Sequence, residues 1–271
     1  MPDFSTIEDT LFVPMLGRIY ASENFPAILI DEKALQIKSQ LPKNLKGQKT
    51  QTQYTLLASA VRSTNMDRSI RQFMKTNPEG VIVLLGAGLE TTFYRNDDGK
   101  HIWYEVDLPS VIEYRKQLLG SSDRDRVMVS DAFSEDWIRE IRASYPDQPI
   151  LAVASGLFYY FTESKVIELF RTLKKYGKME ILFDTVSKAG MKRMDGYMKQ
   201  VGHEEAEMFF YVDHTEDLAR QIGADEFEET AYYAHTPKKG LKLITSLSMR
   251  ISDLFSMVKI VHLKLNQKSG S

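Results

Sequence analysis

Cysteine is absent from all 271 residues, which excludes disulfides, a thiol nucleophile and any zinc or iron–sulfur site built on thiolates. No stretch approaches the roughly 18 consecutive apolar residues that a membrane span needs. The N-terminus lacks the basic-then-apolar pattern of a secretory signal. We therefore expect a cytoplasmic protein with no membrane among its partners. A dominant sign of charge is missing too. The 35 Lys and Arg against 37 Asp and Glu leave a net charge of −2, too little to attract nucleic acid. The balance is uneven along the chain: residues 204–229 are acid-rich, whereas residues 238–268 hold seven Lys or Arg and one acid. Both read as solvated faces. No Gly-x-Ser-x-Gly elbow occurs, so hydrolase chemistry has no support. The histidines form no His-Glu-x-x-His pair, and no metal site is expected. His203 and His214 flank an aromatic segment and Asp213, an arrangement that could serve as a general base, although His214 also stands where a helix begins.

With 43% hydrophobic and 27% charged residues, a chain of this length can bury a large core. One α/β domain with an appendage fits better than two equal domains. The most informative stretch runs from Val81 to Thr92. A β-branched apolar run stops abruptly at Gly86-Ala87-Gly88, as a buried parallel strand does when it enters a tight turn beneath a ligand. Glycine at 86 and 88 allows unusual backbone angles and keeps side chains away from that ligand. Ile102 to Asp107 reads as a second strand ending in acids. Glu105 follows Gly86 by 19 residues, and Asp107 follows Gly88 by the same distance. A glycine turn with an acid so placed binds a nucleoside, the carboxylate accepting from ribose hydroxyls. Thr91 occupies the position where a dinucleotide site requires Gly or Ala, and Glu90 beside it would repel a pyrophosphate. S-adenosylmethionine has a sulfonium and no phosphate, so the turn favours a methyl donor over a nicotinamide cofactor.

Helical apolar spacing runs through residues 5–40, and a long helix is predicted from Tyr54 to Lys75 with Tyr54, Leu57, Val61, Ile70 and Phe73 mainly on one side. A polar connection from Lys43 to Gln53 separates them. Strands are predicted at 81–85, 102–106, 126–130, 150–154 and 179–184, with helices near 109–119, 134–144 and 163–175. Thr162 reads as the N-cap of the last. This alternation gives a doubly wound parallel sheet. After Asp184 the pattern loosens, with helices at 189–200 and 214–222 and strands near 226–234 and 257–265. Ligands of such sheets bind beyond the carboxyl ends of the strands. That rule singles out Gly86 and Gly88, Asp107, the segment Ser130 to Phe133, the segment Ser155 to Tyr160, and Asp184.

The run Leu85-Gly86-Ala87-Gly88-Leu89-Glu90-Thr91, with Arg95 and then Tyr104-Glu105-Val106-Asp107-Leu108-Pro109, resembles the class I methyltransferases of the leucine carboxyl methyltransferase and polyketide O-methyltransferase family. Ala58-Ser59-Ala60-Val61-Arg62 and Asp67-Arg68 resemble the helix before the glycine turn in that family, and Asp9 to Pro14 with Gly17-Arg18 resembles its N-terminal region. The resemblance covers residues 8–185 well and the rest loosely. It implies a mostly parallel, seven-stranded, Rossmann-like sheet whose last two strands supply the antiparallel closure. It also implies a helical lid over residues 1–75 and a methyltransferase domain over 76–268.

The resemblance makes Asp131 the acceptor for the adenine amino group and Arg62 the partner of the donor's methionyl carboxylate, with Arg68 and Arg71 as rivals. The expected cofactor-binding set is Arg62, Gly86, Ala87, Gly88, Glu105, Asp107, Leu108, Asp131, Ala132 and Ser155. One position departs from the pattern. The family's fourth strand usually ends in Glu-Gly, and this chain has Ser155-Gly156. A backbone carbonyl or another acid must then meet the methionyl amino group, or donor affinity is weaker. Tyr159, Tyr160 and His214 are the candidates for catalysis. The expectation is an S-adenosylmethionine-dependent O-methyltransferase that yields S-adenosylhomocysteine and acts on a small-molecule carboxylate or phenol. A nicotinamide-dependent oxidoreductase and a non-catalytic donor-binding protein are the alternatives.

Overall fold

The computed structural model describes residues 6–42, 51–200 and 208–266. Residues 43–50 of the connection predicted from Lys43 to Gln53, and His203, lie outside them; Gln53 itself begins a helix. Helices α1 (Thr6–Asn24), α2 (Glu32–Ile37) and α3 (Gln53–Thr76) precede strand β1 (Val81–Leu85) and the short α4 (Thr92–Asn96). Then follow β2 (Ile102–Asp107), α5 (Pro109–Leu119), β3 (Asp125–Val129), α6 (Asp136–Ser144), β4 (Ile150–Ala154), α7 (Glu163–Lys175), β5 (Met179–Val186) and α8 (Lys188–Gln200). The chain ends with α9 (Thr215–Ile222), β6 (Glu226–Ala231), α10 (Leu243–Leu254) and β7 (Val258–Leu265).

The strands form one seven-stranded sheet in the order β3-β2-β1-β4-β5-β7-β6. β1 to β5 pair in parallel, and β7 runs antiparallel to both β5 and β6. This is the mostly parallel, Rossmann-like methyltransferase sheet. Successive strand residues point to opposite faces, and both faces are covered. Val81, Val83 and Leu85 pack with Trp137, Ile141, Phe170 and Leu173 of α6 and α7. Ile82 and Leu84 pack with Leu57, Val61, Ile70 and Phe73 of α3 on the other side. A strand buried on both faces needs the continuous apolar run that β1 has. The helices α1 and α2 build a smaller core of their own, with Phe12, Met15, Ile19 and Ile37 against Leu89 and Leu119.

Local signals explain some of the boundaries. Thr52 caps α3 by accepting from the Thr55 backbone N–H at 3.2 Å, and Thr55 Oγ1 accepts from the Thr52 N–H in return, a capping box. Thr162 does stand before α7, but its side chain makes no cap bond and meets Ser164 Oγ instead. β6 stops at Ala231, short of the predicted 234, because the chain turns at Tyr232. Helix α10 was not predicted at all. Most of its apolar residues face outward and only Met249 among them is buried, so no core-facing stripe announces it.

Candidate functional site

The carboxyl ends of β1, β4 and β5 open into a cavity of about 960 Å³. Its floor is the glycine turn, where Gly86 and Gly88 hold φ of +60° and +48°, angles that favour glycine. A buried arginine sets the turn from below. Arg115 Nη1 donates to the carbonyls of Gly88 at 3.1 Å and Glu90 at 2.6 Å, and Arg115 Nη2 lies 2.8 Å from Glu105. Glu105 is therefore not where the sequence placed it. Its carboxyl is fully buried, on the inner side of the turn rather than toward a ligand, and burial pushes it up to about 8. The alternation that puts Glu105 on the same face as Asp107 holds, but at Glu105 the helix α5 already covers that face.

Asp107 ends β2 and binds the turn from the other side. Its two oxygens accept from the backbone N–H of Gly88 at 2.8 Å and of Leu108 at 2.7 Å. Burial raises its pKa, and these N–H groups act in the opposite direction. Leu108 is exposed. Asp131 follows β3, exposed, with Oδ1 accepting from the Phe133 N–H at 2.9 Å, and Ala132 is buried beside it. These four residues sit at the ends of β2 and β3, outside the cavity lining.

Arg62 comes from the middle of α3 and lines the cavity. Its Nη1 lies 3.2 Å from Asp184 Oδ2. Burial opposes its charge, but Asp184, Tyr232, Glu90 and Tyr159 together outweigh that and raise its pKa. Arg62 Nε is buried without a hydrogen-bond partner among the described residues, an unmet donor in a buried charged group. Arg68 is exposed, and the exposed Arg71 meets Asp67 and the Arg95 carbonyl. Of the three arginines, only Arg62 lines the cavity.

Asp184, which the sequence places at the end of the fifth strand and outside the expected cofactor-binding set, lies within β5. It lines the cavity and is a hub there. Its Oδ1 accepts from the Gly156 N–H at 2.7 Å, and its Oδ2 accepts from the Tyr159 hydroxyl at 2.6 Å. The register of β4 on β5 pairs Ala154 with Phe183, which brings Asp184 beside Ser155. Burial, reinforced by Asp184, raises the Tyr159 phenol well above its ordinary 10. Tyr160 lines the cavity too, also with a raised pKa from burial. Both tyrosines are held neutral and cannot act as bases near neutrality. His214 is exposed at the start of α9 and outside the cavity lining, so it does not join them.

Glu90 lines the cavity and is buried. Burial opposes its charge, but Arg18, Arg95 and Arg62 together hold its carboxyl below the usual range. Arg18 is the buried centre of this network. It lies 2.8 Å from Glu90 and 3.1 Å from Asp31, and donates to the Leu89 carbonyl at 2.7 Å. In this way α1 is tied to the glycine turn. No sequence spacing gave Arg18 a role, because its partners lie 13 and 72 residues away. The remaining wall combines apolar and aromatic residues, among them Leu11, Tyr232, Tyr233, Met208 and Met257, with polar ones such as Gln53, Thr55, Ser59 and Ser248, and the cations Lys192, Arg193 and Lys242 also line it.

The family model of leucine carboxyl methyltransferase matches residues 14–174, more than half of the chain. The tetracenomycin polyketide synthesis O-methyltransferase TcmP of Streptomyces glaucescens is 25% identical over 182 residues, 66% of each chain. The S-adenosyl-L-methionine-dependent methyltransferase dpfgK of Gibberella zeae is 20% identical over 273 residues, 92% of this chain and 91% of that one. Among solved structures, a candidate methyltransferase from Thermobifida fusca superimposes with a TM-score of 0.57 at 14% identity, covering 93% of this chain and 95% of the other. That likeness concerns the fold.

Proposed function

Since the chain belongs to the leucine carboxyl methyltransferase family, whose methyl donor is S-adenosylmethionine, we propose that it transfers the donor's methyl group to an oxygen of a small acidic acceptor, a carboxylate or a phenol. The observation that carries this reading is the cavity itself. It joins the glycine turn, the unmet Arg62 donor and a wall of apolar, aromatic and cationic residues in one space.

The residues present fit the donor. Asp107 would accept from ribose hydroxyls, Asp131 from the adenine amino group, and Arg62 would meet the methionyl carboxylate through a planar fork of donors. Asp184 supplies the anion that Ser155 lacks. With Arg62 beside it at 3.2 Å, it offers paired opposite charges to the ammonium and carboxylate of a zwitterion. Gly86, Ala87 and Gly88 let the backbone approach without side chains. Bound, the donor supplies a methyl group on a positively charged sulfur. The chain contributes alignment and exclusion of water. α1 and α2 act as a lid, tied to the turn through Arg18.

The acceptor class follows from charge. Tyr159 is held neutral, and Asp184 already accepts from three partners. An acceptor that arrives ionised needs no base. Lys192, Arg193 and Lys242 would favour the anionic form at the wall. Incubating the protein with methyl-labelled donor and matched aryl carboxylates, phenols and amines tests this, with products read by mass spectrometry. Base-labile methyl esters or phenol ethers are expected. Methylation confined to the amines would overturn the oxygen assignment. Separately, S-adenosylhomocysteine at ~100 times its dissociation constant should add about 2.7 kcal/mol of stability by mass action, and NAD should add nothing measurable.

A further inference from the structure

Helix α10 is packed inside out. Thr245, Met249 and Ser252 are buried, while Leu243, Ile244, Leu247, Leu254 and Phe255 stand 86%, 68%, 50%, 77% and 62% exposed. With 3.6 residues per turn, Leu243, Leu247 and Leu254 share one ridge, and Ile244 and Phe255 share the next. An amphipathic helix normally turns such a stripe to the core. An exposed apolar patch of this kind marks an interaction surface.

Cations frame the stripe. Lys239, Lys242 and Arg250 are exposed around it. The segment's one acid, Asp253, turns back to accept from the Tyr233 N–H at 2.9 Å. The stripe also reaches the cavity, since Ile244 and Lys242 belong to its lining.

We propose that α10 docks on an anionic membrane surface, its apolar stripe at the acyl boundary and its cations among the headgroup phosphates. This is the arrangement of an interfacial helix; it departs from the expectation of no membrane partner, which rested on the absence of a membrane span. The charges favour a bilayer over a second copy of the chain. Antiparallel twofold pairing along α10 would bring Arg250, near the helix midpoint, close to its own copy, and like charges across an interface are repulsive. A bilayer instead receives Arg250 and the lysines at its phosphates. Docked in this way, the stripe gives the cavity an edge on the lipid side.

Co-sedimentation of the intact protein with vesicles tests the proposal. Vesicles of phosphatidylcholine mixed with phosphatidylserine should bind it, vesicles of phosphatidylcholine alone should not, and high salt should release it. Replacing Lys239 by alanine should weaken partitioning about 5-fold, the effect of one cation near an anionic surface. Leu247→Glu with Leu254→Glu, two positions outside the cavity lining, should abolish partitioning without changing the unfolding temperature. Failure to bind phosphatidylserine vesicles, or equal binding by the doubly substituted protein, would overturn the proposal. A dimer in light scattering that the same double substitution dissolves would also overturn it, and would assign the face to a second copy.

Discussion

Gly88 donates its backbone N–H to the Asp107 carboxylate at 2.8 Å across 19 residues of sequence. The acid at the end of β2 therefore closes the glycine turn of β1 directly. The same carboxylate group that is to meet a nucleoside also fixes the backbone that the nucleoside lies on. On the proposed reading, affinity and loop geometry are coupled at this one side chain.

Asp107→Ala should accordingly lose both contributions. Charge-assisted bonds of roughly 1.5–3 kcal/mol correspond to about 10- to 150-fold in affinity, and loosening of the turn adds to that. Calorimetry with S-adenosylhomocysteine and with adenosine should show both ligands weakened. Undiminished binding of adenosine would mean that the ribose is held elsewhere.

Gly156 offers a way to move Arg62 without deleting it. A Cβ there would lie 2.6 Å from Arg62 Nη1, on a residue whose φ is +73°. The guanidinium is the end of a flexible side chain and can shift, so Gly156→Ala should fold with a modest loss of stability, about 1–2 kcal/mol from the backbone angle. Binding of S-adenosylhomocysteine should fall roughly 10-fold or more as the Arg62–Asp184 pair is displaced, a loss of ~1.4 kcal/mol. Adenosine has no carboxylate and should bind as to the parent. Equal losses for both ligands would place the effect on the turn and not on Arg62.

Glu105 predicts a pH dependence. Its folded-state pKa of about 8 lies above the ordinary 4.5, so the folded protein retains a proton that the unfolded chain releases. The associated stability is complete below about pH 4.5 and is lost as pH rises through 8. Glu105→Gln keeps the shape and stays neutral. The stability of the parent minus that of Glu105→Gln should decline by roughly 1–3 kcal/mol between pH 5 and 8.5 in urea unfolding. A difference that is flat or rises with pH would show that Arg115 keeps Glu105 ionised.

The apolar run of β1, the glycines after it and the strand–helix alternation through β5 were legible because each is a local consequence of the chain. A strand covered on both faces has to be apolar throughout, and a turn with positive φ strongly favours glycine. The carboxylate at Asp107 was legible by its distance from Gly88. The partnership of Arg62 with Asp184, 122 residues apart, was not, because no spacing encodes a contact between a helix before the sheet and the end of its fifth strand.

Sequence alone determined the sheet, the turn and the family, since all three rest on short-range patterns of burial and backbone freedom. Tertiary structure decided the fate of each charge. Glu105 and Asp107 are two residues apart on one strand, yet α5 buries the first against Arg115 and leaves the second at the open strand end. Arg18 is equally uninformative in the sequence until α1 lies across the turn and brings it to Glu90 and Asp31. Charge works through distance and desolvation, and both are set only when separate elements pack.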